Sequence, residues 1–313
     1  MSVMNQTRVT EFFLLGFGNL HSFSIIFFIL FLLIYIFTVF GNLLIIILVS
    51  TNVHLQTPMY YFLSHLSFSD LVVSTNIVPN MLGAVLLGGK MITYTGCIFQ
   101  FYVFCSTTIT ECLLLSMMSY DRYLAICNPL RYFSLMDLKF RIGLSLWPWL
   151  LGFTLNLIVV LPVSNYNFCR DNIIDHFYCD VSPLQKLSCS DTTLVDLEVF
   201  LFSLPIFLVP CGFIIVTYVR VFLTIIKIPS TSGKQKAFST CSSHLIVVGT
   251  FYGTLIAKYM IPSVGQTLLT NKMISLLHTL LTPLVNPITY SLRNQDIKMG
   301  FRKTFRQKTF FIH

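Results

Sequence analysis

Seven long stretches of this chain are almost free of charge, and they constrain the fold more than any other feature of the sequence. Five of them contain no charged residue, the second contains only Asp70 and the third contains only Glu111. About 20 mostly apolar residues in a helix cross the hydrocarbon core of a bilayer, whereas transmembrane β-strands are shorter and alternate apolar with polar side chains. The stretches are residues 24–49, 58–89, 97–118, 142–163, 199–219, 237–257 and 273–292. We therefore predict an all-α membrane protein, a bundle of seven transmembrane helices.

The overall composition excludes the main alternatives to a membrane protein. The chain has 313 residues, of which 55% are hydrophobic and 10% are charged, whereas soluble domains carry about 25% charged residues. Its 30 Phe exclude intrinsic disorder, because so much apolar surface must be buried. The net charge of +8 would suggest nucleic-acid binding in a soluble protein, but in a membrane protein such an excess marks the cytoplasmic face. We therefore expect no nucleic-acid partner.

The distribution of charge between the loops predicts the orientation of the bundle. The loops on the side of the C-terminus carry 14 bases and 3 acids, a net charge of +11, and those on the other side carry 6 bases and 7 acids, a net charge of −1. Because basic loops stay in the cytosol, the N-terminus is expected outside and the C-terminus inside. Asn5, in an Asn-Gln-Thr acceptor triplet, then lies on the side where glycosylation occurs. Residues 1–23 lack the pattern of a cleavable signal peptide, so we expect the first span to direct insertion.

These boundaries divide the chain into three parts. Residues 1–23 are expected to form an extracellular N-terminus, and residues 24–292 the transmembrane domain, with a long extracellular loop at about 164–198. Residues 293–313 are expected to form a cytoplasmic tail. The tail mixes basic residues with Phe, a composition typical of a short amphipathic helix on the inner leaflet, so membrane lipid is an expected partner.

Four of the nine cysteines fall on the predicted extracellular side, where disulfides form. They are Cys97, Cys169, Cys179 and Cys189, and four cysteines allow three pairings, among which the residues alone do not choose. His176 and Cys179 are suitable ligands for a soft metal. A disulfide at Cys179 would remove the thiolate, however, so we expect no metal site.

Polar side chains inside the predicted spans suggest a functional centre. An ionisable residue at membrane depth is costly, and it usually faces the bundle interior and has a partner. Asp70 and Glu111 lie midway along the second and third spans, and Asn42 and Asn286 lie at depths where they can join them. Four such side chains can hold a hydrated sodium ion or share a proton. The alternative is a water-filled structural network without a specific ion.

Two short motifs lie where predicted spans end at the cytosol. Asp121, Arg122 and Tyr123 close the third span, and residues 286–290, with the sequence NPITY, close the seventh. Pro287 removes a helix hydrogen bond and allows a kink, while Asn286 can satisfy the freed backbone group. Either motif alone is a weak signal, but the two together in a chain of seven spans are much more specific.

These motifs make the chain resemble a rhodopsin-like G-protein-coupled receptor, and longer matches narrow the resemblance to the vertebrate odorant (olfactory) receptors. The family's signature at the inner end of the third span stands here as MSYDRYLAIC at residues 118–127. Its sixth-span signature is KAFSTCSSHL at 236–245, and its seventh-span signature is PLVNPITYSLRN at 283–294. PMYYFL at 58–63 opens the second span. The resemblance covers essentially the whole chain.

The resemblance implies a conformational switch at the cytosolic end. Arg122 resembles the arginine that pairs with Asp121 at rest and is released to meet the G protein. Tyr218 and Tyr290 resemble tyrosines that move inward to support the active state. The implied switch residues are Asp121, Arg122, Tyr123, Tyr218, Asn286, Pro287 and Tyr290.

The resemblance also implies how the long extracellular loop is held. A disulfide between Cys97 and Cys179 would pin the loop to the third span, and one between Cys169 and Cys189 would close it on itself. Such closure restricts the unfolded loop and makes it a roof over the ligand pocket.

A ligand pocket is expected beneath this loop. Helical spacing places Phe104, Cys105, Thr108 and Ile109 on one stripe of the third span, above Glu111. The resemblance implies that this stripe faces residues of the fifth, sixth and seventh spans, an apolar lining that suits a small volatile or weakly polar molecule. Residues 101–110 contain no acid, which argues against a receptor for biogenic amines. The other implied lining residues are Phe202, Ile206, Tyr252, Leu255, Ile256, Tyr259, Leu276 and Thr279.

The function implied by the resemblance is that of an odorant receptor and not of an enzyme. It implies activation of a stimulatory G protein, a rise in cyclic AMP, and a place in the plasma membrane of olfactory sensory cilia. Two other classes remain open on the residues alone. A channel or transporter that uses Asp70 and Glu111 would carry current without a G protein, and another rhodopsin-like receptor would bind a peptide or a lipid. The long signatures favour the odorant receptor.

Overall fold

The apolar stretches form long α-helices, as expected of backbone that finds no hydrogen-bond partner in lipid. The structure, a computed structural model, describes residues 9–18, 23–168, 171–259 and 268–293, together with Ile297 and Met299. The elements are β1 (Glu11–Leu14), α1 (Ser24–Thr51), α2 (Pro58–Leu87), β2 (Lys90–Thr93), α3 (Tyr94–Cys127), α4 (Pro129–Leu135), α5 (Leu138–Leu155), α6 (Leu157–Val163), β3 (Ile173–Ile174), α7 (Val181–Leu187), α8 (Thr193–Lys227), α9 (Thr231–Tyr259), α10 (Leu268–Leu276) and α11 (Thr282–Arg293), with a short 3₁₀ turn at Val53–Leu55.

Six helices of the described part of the chain are long and apolar enough to cross a membrane: α1, α2, α3, α5 continued by α6, α8 and α9. The seventh predicted span is helical but divided, because the wider turns of a π-helix at Leu277–Leu281 separate α10 from α11. Pro283, just beyond these turns, has no backbone N–H to donate to the preceding turn. The seventh crossing and the orientation of the N-terminus remain predictions from the sequence.

The outward faces of the long helices are apolar and exposed. Phe37 and Phe40 of α1 are 63% and 64% exposed, and Val209 of α8 is 68% exposed. Contiguous apolar surface of this extent is unfavourable in water and favourable in lipid. The chain is a multi-pass membrane protein.

The centre of the bundle is α3, which packs against α2, α5 and α8. Leu114, Leu115 and Met118 of this helix have no exposed surface. Its N-terminus is capped by Thr93, whose hydroxyl accepts the Gly96 N–H at 3.1 Å. A central helix buried on most of its faces can carry side chains to a site at either end.

A small sheet covers one end of the bundle, which we call the outer end. Its strand order is β2-β1-β3; β1 runs antiparallel to β2 and parallel to β3. Strand β1 alternates, since Phe12 and Leu14 are fully buried while Glu11 is exposed. The all-α prediction is therefore incomplete at the outer end, where the N-terminal segment pairs with the loop after α6.

That loop ends earlier than the sequence predicts. The extracellular loop was expected to extend to about residue 198, but α8 begins at Thr193. The Asp191 carboxylate accepts the Thr193 N–H at 2.9 Å, which marks the helix start. Asp196, in the first turn, is an acid that stabilises a helix N-terminus. Asp196 and Glu198, the acids that suggested a loop, thus belong to α8. The amphipathic helix predicted for the tail lies almost entirely outside the described residues.

A close approach between α3 and α5 gives the first prediction. A Cβ on Gly152 would lie 2.4 Å from the Thr110 Oγ1 and 2.5 Å from the Ser106 carbonyl oxygen, and backbone cannot yield there. Gly152→Ala is expected to lower the free energy of unfolding by about 1–3 kcal/mol through overpacking. Thermal unfolding of the detergent-solubilised protein, together with surface immunostaining, measures the effect.

The matched control lies in the same helix. A Cβ on Gly143 would meet nothing within 4 Å, so Gly143→Ala should lower neither stability nor surface expression. Equal stability of the two variants would show that α3 and α5 are not in the close contact described.

Candidate ligand cavity and receptor switch

A cavity of about 80 Å³ lies near the outer end between α3, α5, α6, α8 and the loop after α6. We call it the inner cavity. Its walls are mainly apolar, and its polar groups come from Thr108, Asn156, Asp180, Ser203 and Tyr259. Six of the predicted lining residues contribute to it: Cys105, Thr108, Ile109, Phe202, Ile206 and Tyr259.

The other six predicted lining residues lie elsewhere. Phe104 is fully buried, with its ring centroid 5.2 Å from that of Tyr178 and 6.0 Å from that of His278. Tyr252 and Leu255 belong to the central apolar cluster, and Leu276 packs against the cluster around Phe104. The buried Thr279 hydroxyl donates to the Ser275 carbonyl at 2.9 Å. Ile256 is 53% exposed. The cavity therefore lies closer to α5 and α6 than the resemblance implies.

A buried ion pair beside the cavity was missed in the sequence. The Lys258 Nζ of α9 lies 2.8 Å from the Asp180 Oδ2, and both side chains are at most 8% exposed. The same ammonium donates to the Tyr178 hydroxyl at 2.5 Å. Lys258 is the first charge after the sixth apolar stretch, so it looks like the end of a span. The signal that could have identified Lys258 in the sequence was its position directly after an apolar stretch.

The pair also explains the charge state of the loop carboxylate. Burial alone would raise the pKa of Asp180, but the ammonium of Lys258 and the Val181 N–H outweigh it, and the pKa lies below its ordinary value. The inner cavity thus contains an acid, which comes from the loop and not from residues 101–110. Because Lys258 already neutralises this acid, an ammonium ligand gains little from it.

One disulfide anchors the loop over the cavity. Cys97 of α3 is bonded to Cys179, with 5.5 Å between their Cα atoms, which confirms that predicted pairing. The Cys179 N–H also donates to the Gln100 Oε1 at 2.9 Å. Cys189 is disulfide-bonded as well. Cys169 and the glycosylation candidate Asn5 lie outside the described residues, so the second pairing and the glycan stay predictions.

Three of the four predicted polar-centre residues lie close together in the middle of the bundle. The Asn286 Nδ2 donates to both Asp70 oxygens, at 3.1 and 2.9 Å. Glu111 accepts from the Ser69 hydroxyl at 2.8 Å. All of these side chains are buried. The fourth, Asn42, instead donates to the Pro283 carbonyl at 3.0 Å and joins α1 to α11.

Apart from Asn286, which belongs to the polar centre, the predicted switch residues lie at the inner end, opposite the sheet. The Arg122 Nε donates to the Asp121 Oδ2 at 3.0 Å, and the Tyr132 hydroxyl donates to the Asp121 Oδ1 at 2.8 Å. The Tyr218 hydroxyl lies 2.6 Å from the Nδ1 of His244 on α9. His244 was not predicted, because a single buried His carries no spacing signal.

Three further switch residues complete this end. Tyr123 packs partly buried against Val221, Ile225 and Cys241. The fully buried Tyr290 hydroxyl finds no hydrogen-bond partner among the described residues. Pro287 lies against α1, where a Cβ on Gly41 would be 2.9 Å from the Pro287 Cβ, so Gly41 permits this close approach.

A cavity under an anchored loop, a buried polar centre and an arginine held at the opposite end define a membrane receptor of the G-protein-coupled class. Comparison with known proteins identifies its family. The olfactory receptor family model matches residues 31–308. Human olfactory receptor 11L1 is 43% identical over 309 residues, which cover 98% of this chain and 96% of that protein. Rat olfactory receptor 1468 is 43% identical over 308 residues, 98% of both chains.

The chain belongs to the olfactory receptor family. It is therefore a receptor and not an enzyme, as predicted. Membership in this family implies small-molecule ligands and coupling to a G protein in general terms.

The buried His176 of the loop gives a prediction about pH. Burial lowers its pKa from 6.5 to about 3; Asp180 opposes this shift, and Lys258, Lys272 and Lys186 add to it. The unfolded chain takes up a proton below pH 6.5 that the folded chain does not, so stability falls as the pH falls from 6.5 towards 3. The loss is about 1.4 kcal/mol per pH unit in that interval. Thermal unfolding between pH 7.4 and 5 measures it.

Two variants distinguish the contribution of His176 to this pH dependence from that of other histidines. His176→Gln should reduce the slope of stability against pH by about 1.4 kcal/mol per pH unit, whereas His54→Gln, at an exposed position, should leave the slope as in the wild type. Asp180 does not interfere, because its carboxylate is protonated only below its ordinary pKa of 3.8. An unchanged slope in His176→Gln would contradict the assignment.

Proposed function

We propose that the chain is an odorant receptor that binds a small, weakly polar volatile molecule in the inner cavity and activates a stimulatory G protein, which raises cyclic AMP. The observation that carries this proposal is the apolar inner cavity beneath the disulfide-anchored loop. A water-sized group takes about 30 Å³, so 80 Å³ holds two to three such groups. That size suits the apolar end of a small odorant.

The proposed mechanism is a shift between two arrangements of the inner end. A ligand moves this equilibrium only if it binds the active arrangement better than the resting one. The contact between Asp121 and Arg122 supports the resting assignment, because it holds the guanidinium within its own helix. In the active arrangement, Arg122 leaves Asp121, α9 moves outward at its inner end, and the G protein enters the cleft.

A sodium ion at the polar centre is part of the proposal. The centre offers carboxylate oxygens from Asp70 and Glu111, and the buried Asn286 Oδ1 has no hydrogen-bond partner among the described residues. Hard cations prefer such oxygen ligands, so the residues fit the ion. When bound, the ion supplies a positive charge that neutralises these acids and favours the resting arrangement.

The proposed location is the plasma membrane of olfactory sensory cilia, with the N-terminus outside. The charge difference between the two faces of the sequence supports this orientation. Membrane lipid is the proposed partner of the basic tail, which is largely outside the described residues.

The coupling proposal is tested in cells that express the receptor with an olfactory-type G protein. An odorant panel should give a dose-dependent rise in cyclic AMP, and Arg122→Ala should abolish it at equal surface expression, because the residue that meets the G protein is lost. Arg131→Ala is the matched control, since Arg131 is an exposed base of the neighbouring α4, and its response should be retained. A normal response in Arg122→Ala would refute the switch assignment.

The sodium proposal has its own test. Replacing extracellular sodium by choline should raise basal cyclic AMP in the wild type, because an ion that stabilises the resting arrangement is withdrawn. Asp70→Asn should remove this sensitivity. Asp137→Asn, which keeps a capping residue at the start of α5, should behave as the wild type does. A wild type indifferent to sodium would leave only a structural role for the polar centre.

A further inference from the structure

An arginine at the inner end of the bundle is held in place without an acidic partner. Arg141 lies in the first turn of α5, and its Nη1 donates to the carbonyl of Gln56, two residues before α2 begins, at 3.0 Å. Its guanidinium carbon lies 5.6 Å from the centroid of the Tyr61 ring. In the part of the chain that the structure describes, no carboxylate forms an ion pair with Arg141. The side chain therefore joins α5 to α2 and keeps its positive charge uncompensated.

Most of the hydrogen-bonding capacity of this arginine is unused. A guanidinium group has five N–H donors. The Gln56 carbonyl takes one, and the buried Nε of Arg141 has no hydrogen-bond partner among the described residues. A buried polar atom without a partner is costly, and it indicates a missing ligand or water. Donors fixed in one plane match the oxygens of a phosphate group, which a guanidinium binds through two parallel hydrogen bonds.

The guanidinium lies where the lipid-facing surface of the bundle begins. Further along α5 towards the outer end, Trp147 and Leu150 are exposed and apolar. On the neighbouring α2, the exposed Phe68 has its ring centroid 5.5 Å from that of Trp149. A group bound at Arg141 is thus followed by apolar, partly aromatic surface. This order of surfaces matches a phospholipid, in which acyl chains follow the phosphate, and it does not match a free anion.

The charge near Arg141 distinguishes between kinds of phospholipid. Residues 129–141 contain three bases and one acid, a net charge of +2. The acid is Asp137, whose carboxylate accepts the Phe140 N–H at 2.7 Å and caps α5. A zwitterionic head group brings an ammonium group to this basic segment, whereas an anionic head group brings a net negative charge. The segment therefore favours an anionic phospholipid.

We propose that Arg141 is the centre of a binding site for an anionic phospholipid of the leaflet at the inner end. The lipid phosphate accepts hydrogen bonds from the guanidinium, and the acyl chains lie on the exposed surface of α2 and α5. The Gln56 carbonyl and the Tyr61 ring orient the donors before the lipid binds, which lowers the entropic cost of binding. The site is separate from the inner cavity and from the basic tail, so it goes beyond the proposed function.

The test compares phosphatidylglycerol, which is anionic and has no ammonium group, with phosphatidylcholine. The purified, detergent-solubilised receptor is titrated with each lipid, and the rise in unfolding temperature gives an apparent dissociation constant. In the wild type, phosphatidylglycerol should bind more tightly. Arg141→Gln should weaken its binding about tenfold, as expected for the loss of charged hydrogen bonds, and should abolish the preference over phosphatidylcholine.

Three further variants separate this site from general attraction to a basic surface. Arg220→Gln is the matched control, because it removes an exposed arginine of α8 with the same change in charge, and it should keep the wild-type preference. Arg141→Lys keeps the charge without the planar group and should retain part of the preference. Tyr61→Leu leaves the charge unchanged and should weaken phosphatidylglycerol binding, because the guanidinium loses the ring that orients it. Each variant is compared with its own unfolding temperature without lipid, so a loss of stability does not imitate a loss of binding.

Three outcomes would overturn the lipid site. The first is equal binding of the two lipids by the wild type. The second is an equal loss of preference in Arg141→Gln and Arg220→Gln, which would assign the preference to the diffuse charge of the inner end. The third is that millimolar inorganic phosphate stabilises the receptor as well as phosphatidylglycerol does. None of these measurements involves an odorant, so the proposed function stands or fails separately.

Discussion

Hydrocarbon offers a polar group no water, so buried polar side chains of this protein are stabilised chiefly by partners within the bundle. The pairs that result join elements that are far apart in the chain. Asp70 accepts from Asn286, joining α2 to α11, and Lys258 pairs with Asp180, joining α9 to the loop. An unpaired partner would be costly in either pair. The arrangement of the helices therefore follows from a few polar contacts set among many interchangeable apolar ones.

In the proposed mechanism, such contacts distinguish two arrangements of the molecule. Close-packed helices shift between discrete packings, and an ion pair or a hydrogen bond is likewise either made or broken. The contacts at the inner end, Arg122 with Asp121 and Tyr218 with His244, join side chains whose groups can exchange partners. A receptor needs this property, because a ligand acts by favouring one of two discrete states. The polar minority of the sequence thus supports the function while the apolar majority places the chain in the membrane.

The sequence predicted features that depend on local composition, and it missed those that depend on distant pairing. Gaps between charges located the long helices, and depth along the spans brought Asp70 and Asn286 together correctly. Phe104 was assigned to the pocket with Cys105, although only Cys105 lines the inner cavity, because helical spacing does not fix how far a helix is rotated. Strand β1 pairs with residues about 160 positions away, which four residues alone cannot reveal. Lys258 was missed because the loop that shields it from water could not be placed.

That loop is tied to α9, the helix that extends from the outer end of the receptor to the inner end. Tyr178, Cys179 and Asp180 are consecutive, and they contact respectively the Phe104 ring, Cys97 of α3 and Lys258 of α9. The disulfide fixes Cys179 and thereby holds Asp180 where it meets the outer end of α9. The same helix carries His244 fourteen residues earlier, about 21 Å along its axis, in contact with Tyr218. The ion pair at Lys258 and the His244 contact with Tyr218 therefore lie on one continuous helix, so in the proposed mechanism a change at the outer end can reach the proposed switch through α9 itself.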